Sequence, residues 1–240
     1  MSLSWQHIKA IVIKEAFDLR KNSSILVMFF LPVLLTIIWD RVIPDMPGNM
    51  SLGFGLLFLV VMVGMYVPSM LLAEEKEKKT LQVLLLSPAS PADVIVGKGL
   101  ITFLSIVVIS ILLLFIVGPT AGNMLIIFVA TFMVSIFSIT VGMMVGLLSP
   151  DQRSTGTIGL PVYLLLLLIP QLAAISEGGI INLLARFLPT SYYLRILEIV
   201  VEENVGWGSV VYELLLIGIS IVISFYVLHY IYRKKGIRGD

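Results

Sequence analysis

Few residues in this chain could do chemistry, and their spacing argues against a reaction centre. Gly97-Lys98-Gly99 looks like the end of a phosphate-binding loop. That device needs glycine five residues before its Gly-Lys pair and Ser or Thr directly after it. Ala92 and Gly99 stand there instead, so the chain binds no ATP in this way. The histidines, His7 and His229, lie at opposite ends of the sequence, and there is no cysteine. Thiolate metal sites, disulfides and thiol nucleophiles are excluded, and no His-Glu-x-x-His pair exists to hold zinc. An ion-driven carrier would need ionisable residues or broken helices near the bilayer midplane. Glu213 and Asp40-Arg41 fall near the ends of apolar runs, where water or headgroups are their expected surroundings. The remaining concentration of charge is Glu74-Glu75-Lys76-Glu77-Lys78-Lys79, which is suited to a surface rather than to catalysis.

The elements that must position these residues follow from composition. Hydrophobic residues make up 58% of 240 positions and charged residues 13%, against about a quarter charged in a soluble domain. Much of the chain therefore has lipid as its solvent. About 20 apolar residues are needed to cross a bilayer as a helix, and six windows qualify: 24–43, 52–73, 94–118, 124–148, 157–175 and 210–232. The expected fold is an all-α, polytopic membrane protein, one transmembrane domain over 1–240. Some two dozen mixed residues precede the first run, and Asp40-Arg41 rather than a small-residue cleavage site follows it. It reads as a retained span rather than a signal peptide.

The basic residues set the expected orientation. With six spans, Lys9, Lys14, Arg20, Lys21, Lys76, Lys78, Lys79, Lys98, Arg153, Arg233, Lys234, Lys235 and Arg238 share one side, leaving Arg41, Arg186 and Arg195 opposite. Basic residues concentrate on the cytoplasmic side, so both termini are expected there. Residues 4–21 form an expected interfacial helix on the inner leaflet. Trp5, Ile8, Val12, Ala16 and Leu19 make its apolar face, and His7, Lys14, Asp18 and Lys21 lie opposite. The outer segment 176–208 is long for a connector. Its apolar stretch Ile180–Phe187 is too short to span, and short helices dipping into the outer leaflet are expected there. Gly142-x-x-x-Gly146 permits close helix contact, within the chain or between subunits.

The second loop is the most informative segment. The charge alternation from Glu74 to Lys79 suggests that the second helix continues past the membrane. Leu81-Gln82-Val83-Leu84-Leu85-Leu86 follows, and Ser87-Pro88 ends the short helix. Such a stretch is too short to cross the bilayer and too apolar for a free loop, which marks either a docking surface or a short helix lying on the inner leaflet or packed on its own bundle.

Glu75-Lys76-Glu77-Lys78-Lys79-Thr80-Leu81-Gln82-Val83-Leu84-Leu85-Leu86-Ser87-Pro88, with Val96-Gly97-Lys98 after it, resembles the hallmark of ABC-2 type permeases. Lys79 and Gln82 depart from it, standing where glycine and glutamate are usual. Pro189 and Tyr192 in the outer segment fit the family as well. The resemblance implies a cytosolic coupling helix over Thr80–Pro88 that docks a separate ABC ATPase subunit, present in two copies. Glu75, Glu77, Thr80, Leu81, Leu84, Leu85, Ser87 and Pro88 are the docking residues it implies. It also implies a second permease subunit, the same chain or a similar one, and a prokaryotic cell membrane as the location. ATP and Mg would belong to the ATPase; this chain is expected to bind no cofactor, metal or nucleic acid and to be no enzyme. The expected function is export of a hydrophobic or amphipathic substrate: a drug, a lipid-like compound or a peptide. Sodium or polysaccharide export by the same subunit type is the alternative, and an ATP-independent carrier or channel the more distant one.

Overall fold

In a bilayer, backbone N–H and C=O groups find no water, so apolar runs of this length satisfy themselves as helices. The computed structural model describes residues 4–43, 48–78, 90–117, 124–176, 178–202 and 205–235, which are helical with short joints and carry no strand. In chain order the helices are α1 (Trp5–Leu19), α2 (Ser23–Arg41), α3 (Gly48–Phe58), α4 (Gly64–Glu77), α5 (Pro91–Val117), α6 (Met124–Leu148), α7 (Gln152–Ile175), α8 (Ile180–Ala185), α9 (Pro189–Glu202) and α10 (Val211–Lys235). Six apolar helices are long enough to cross a membrane: 23–41, 50–77, 92–117, 124–148, 152–175 and 211–234. The six expected spans are present, and the second runs on to Glu77, four residues past its expected end at Ala73. The fifth begins at Gln152 rather than Thr157, because Asp151 caps it: its side chain accepts from the Ser154 N–H, and the Ser154 hydroxyl bonds back.

The second span is the axis of the bundle. Its 18-residue apolar window is 83% buried, against 17–28% for the first, third, fifth and sixth spans. Lipid offers no hydrophobic drive between helices, so close packing must supply cohesion, and small residues do so here. On α6, Gly142 lies over the Met65 backbone, and a Cβ on Gly146 would stand 2.8 Å from the Ser69 carbonyl oxygen. Gly64 meets Ser138 in the same seam. The Gly142/Gly146 pair therefore packs α6 onto α4 within one chain.

Between α3 and α4, Leu59–Val63 form a π-helical turn, and Pro68 follows inside α4. Proline lacks an N–H and its ring crowds the carbonyl four residues back, here that of Gly64. A widened turn just before it relieves that crowding, and such turns recur at functional positions. Hydroxyls within the spans bond back to helix carbonyls: Thr36 to Pro32, Ser105 to Ile101, Ser110 to Val107, Thr131 to Ile127, Ser135 to Thr131 and Thr140 to Ile136. Ser69 bonds to the Tyr66 carbonyl, whereas buried Ser138 Oγ has no partner among the described residues.

Candidate functional site

The segment of the implied docking residues Thr80, Leu81, Leu84, Leu85, Ser87 and Pro88 lies outside the described residues; its two ends are described. At the first end, α4 turns its two glutamates apart. Glu75 is buried and Glu77 exposed, as a spacing of two residues on a helix requires. The Glu75 carboxylate accepts from Lys14 of α1 (2.7 Å) and Lys98 of α5 (3.2 Å). Lys98 also donates to Glu15 of α1 at 2.6 Å, and Lys14 to Glu15 at 3.2 Å. Glu15, Glu75 and Lys98 are each no more than 3% exposed. The four charges cancel, which is what allows such groups to be buried. Burial alone would lower the pKa of the Lys14 ammonium. The bond to Glu75 and the charges of Glu15 and Glu75 outweigh it and hold the lysine above its ordinary value.

The next two residues of α4 reach the other way. Lys76 Nζ donates to the carbonyls of Leu147 and Ser149, both at 2.7 Å. A cation there satisfies the open carbonyls at the end of α6. Glu77 Oε2 accepts from the Gln152 N–H at 3.1 Å, at the start of α7. Three successive side chains thus tie the end of the second span to α1, α5 and the α6–α7 corner.

At the far end of the segment, Ser90 and Asp93 form a reciprocal cap on α5: the Ser90 N–H donates to Asp93 Oδ2, and the Asp93 N–H to Ser90 Oγ. Asp93 also accepts from the Ser4 N–H at 3.0 Å and faces His7 Nδ1 at 3.4 Å. The start of α1 is therefore pinned to one end of the segment, and its middle to the other.

Lys14, Glu15, Asp93 and Lys98 were not among the expected site residues. Two signals could have found them: a lone lysine at the head of an apolar run needs a counter-charge, and Glu15 shares a helix face with Ile8, Ile11 and Leu19. The α1 face itself differs from the expectation. Ile8, Ile11, Glu15 and Leu19 are buried, while Trp5 is 68% exposed. The cause is packing: Gly97 of α5 seats against Ile11 and the Ile8 carbonyl, which rotates α1 until Glu15 meets Lys98.

Along the second span, residues 51–73 are buried except Phe54, Phe58, Met62 and Tyr66. These recur every four residues and form one half-exposed stripe across the π-helical turn. Trp39 of α2 meets Phe54 edge-on, with ring centroids 5.6 Å apart. Tyr163 of α7 reaches Ser69, whose hydroxyl also donates to the Tyr66 carbonyl. The surface is aromatic and thioether, with one phenol.

At the opposite end, Glu213 is buried rather than facing water. Its Oε1 lies 3.5 Å from Arg195 Nε, and its Oε2 has no partner among the described residues. Asp40 pairs with Arg41 at 2.8 Å and accepts from Ser51. No group of three or more His, Cys, Asp or Glu able to hold a metal ion occurs among the described residues.

Comparison with known proteins agrees with this architecture. Residues 45–228, from ahead of α3 to within α10, match the family described as ABC-2 family transporter protein. No curated protein matches the chain.

Proposed function

The chain belongs to the ABC-2 family of transporter proteins, and from that premise we propose that it is the permease subunit of an ATP-driven exporter. It is an integral membrane transport component, with six helices fit to cross the bilayer. On this reading the engine is a separate ABC ATPase with its ATP and Mg, and segment 80–88 is the coupling helix seated on it. Both termini then lie in the cytoplasm, and a second permease completes the pathway.

One observation carries the reading: the most buried span runs without a break from Met50 to Glu77 and leads directly into that segment. Force that reaches Glu77 meets no slack loop within the span. Lys76 and Glu77 pass it to the α6–α7 corner, and Glu75 to α1 and α5. Glu75 would thus support docking from behind, whereas exposed Glu77 lies open to a partner. The π-helical turn at Leu59–Val63 supplies a place where the upper half of the span can bend against the lower.

The stripe Phe54–Phe58–Met62–Tyr66 is our candidate for the pathway wall. Apolar and aromatic surface with a single hydroxyl suits a hydrophobic or amphipathic substrate, and offers sodium no ring of oxygen ligands of the kind hard cations take.

Purifying the tagged chain from native membranes in mild detergent, followed by an ATP-hydrolysis assay, tests the proposal. An ATPase co-purifying in near-equal amount, with hydrolysis in the eluate, is the expected outcome. A chain that elutes alone from cells expressing it normally, without hydrolysis, would return the protein to the carrier or channel class.

A further inference from the structure

We propose that α1 carries a binding face for anionic phospholipid, built from Trp5, Ile13 and Phe17 with Lys9, Arg20 and Lys21. Helix α1 has three sectors. One, with Ile8, Ile11, Glu15 and Leu19, is buried against the protein. The second, centred more than a third of a turn on, exposes Trp5 (68%), Ile13 (48%) and Phe17 (60%), which steps of four residues fan over about a third of the helix circumference. Lys9 and Arg20 interleave with them, and Lys21 borders them; all three are exposed. Lys14, on the third, polar sector, is already held by Glu75 and Glu15.

What covers the second sector follows from where the ends of α1 are held. Its last residue, Leu19, is four positions from Ser23, where α2 begins, a separation of no more than about 14 Å. Helix α2 has 19 residues, about 28 Å at 1.5 Å per residue, and so needs its whole length to cross a hydrocarbon layer of about 30 Å. Ser23 is therefore at the membrane boundary. The other end of α1 is tied through Ser4 and His7 to Asp93, in the first turn of α5, the next spanning helix after the docking segment. Both ends sit at one membrane boundary, so α1 lies along it at headgroup level. Indole and phenyl rings favour that layer, and basic residues beside them attract anionic headgroups. A solvated surface would leave three large apolar side chains in water without reason.

The lipid contact stands on this geometry alone; its consequence rests on the exporter reading. Helix α1 grips both ends of the docking segment, at Glu75 and at Asp93. Lipid that holds α1 down therefore also holds the frame of that segment, and ATPase coupling would need anionic lipid.

The test uses the full chain with Trp39→Phe and Trp207→Phe, so that Trp5 is the sole tryptophan. It is reconstituted in phosphatidylcholine vesicles containing either brominated phosphatidylglycerol or brominated phosphatidylcholine at equal mole fraction. Trp5 fluorescence is expected to be quenched by both, with an apparent enrichment of the anionic lipid of at least roughly five-fold, the effect of one basic residue near an anionic surface. Lys9→Gln/Arg20→Gln/Lys21→Gln should abolish the preference and leave quenching by the zwitterionic lipid. The single variants should lower it stepwise, which keeps a readout should the triple variant fail to insert. Equal quenching by the two lipids overturns anionic recognition. Absence of quenching by either places Trp5 away from lipid, as a surface for the ATPase subunit would require, and overturns the proposal. Because the readout needs no ATPase, it stands or falls separately from the exporter reading.

Discussion

Lys98 and Glu15, 83 residues apart in sequence, meet at 2.6 Å with both side chains buried. Their contact joins an extramembrane helix to the head of a spanning one. Glu75 and Lys14 complete a neutral group of four, so no one bond in it stands alone. A buried ion pair is weak support for stability as such, since well-packed apolar residues often do as well. What it supplies is register: α1 and α4 can seat on α5 in one rotation only, the one that places both carboxylates against Lys98.

Removing the lysine separates these roles. Lys98→Met leaves Glu15 and Glu75 buried with half-exposed Lys14 as the cation still bonded to both among the described residues, and breaking such pairs costs about 3–5 kcal/mol. A loss near the lower end of that range is expected, because Lys14 remains. The triple variant Glu15→Gln/Glu75→Gln/Lys98→Met should recover much of it. Thermal unfolding of the purified protein in detergent gives both; a triple variant no more stable than Lys98→Met would refute the charge account.

The seam between α4 and α6 makes a sharper structural prediction. A methyl on Gly142 would overlap the Met65 carbonyl oxygen, which is backbone and cannot turn aside. Gly142→Ala should destabilise by about 1–3 kcal/mol, the usual cost of overpacking. Gly156→Ala, in the first turns of α7 with open space at its Cβ, should be neutral or mildly stabilising, because alanine favours the helix by about 1 kcal/mol. Unfolding temperatures of the two variants measured side by side check this.

The spans were legible in the sequence because length and apolarity alone decide a membrane helix, and the run-on of the second span was legible in the charges from Glu74 to Lys79. The rotation of α1 was not. Its apolar residues can be grouped into two stripes, Ile8/Ile11/Leu19 and Trp5/Ile13/Phe17, and only contact with Gly97 and Lys98 chooses between them. The π-helical turn leaves no local mark in Leu59-Val60-Val61-Met62-Val63 beyond the proline that follows. Burial of Glu213 depends on Arg195, a residue of another helix, which periodicity within α10 cannot reveal. Of the implied docking residues, Glu75 and Glu77 look equivalent in sequence, and the helix turns one inward and the other out.

Replacement of Leu84 and Leu85 by Asp tests the docking segment. If these side chains enter a cleft of the ATPase, two buried carboxylates would cost several kcal/mol and release it. The variant should insert and unfold like the parent, since the bonds of the charge cluster and the α4–α6 seam given above are made by other residues, yet fail to co-purify the ATPase. Retained co-purification and transport would remove these residues from the interface.

The stripe on the second span makes the last prediction. If Phe54, Phe58, Met62 and Tyr66 wall the pathway, truncating one of them changes what passes while the frame that drives it stays whole. Phe58→Ala is the cleanest choice. Its ring is half-exposed, it directly precedes the Leu59–Val63 widening, and its side chain has no polar group to pair. Lost wall contact should weaken apparent affinity for a bulky apolar substrate by about 1–3 kcal/mol, the worth of a large apolar side chain. ATPase docking and basal hydrolysis should be unchanged, because Glu75, Lys76 and Glu77 keep their partners. Ser105→Ala, half-buried on α5 and, among the described residues, bonded to its own helix, serves as the control outside the stripe. Concentration dependence of substrate-stimulated ATP hydrolysis separates the cases. A shift in half-saturation for Phe58→Ala but not Ser105→Ala places the stripe in the pathway, and equal responses would assign those aromatic residues to lipid.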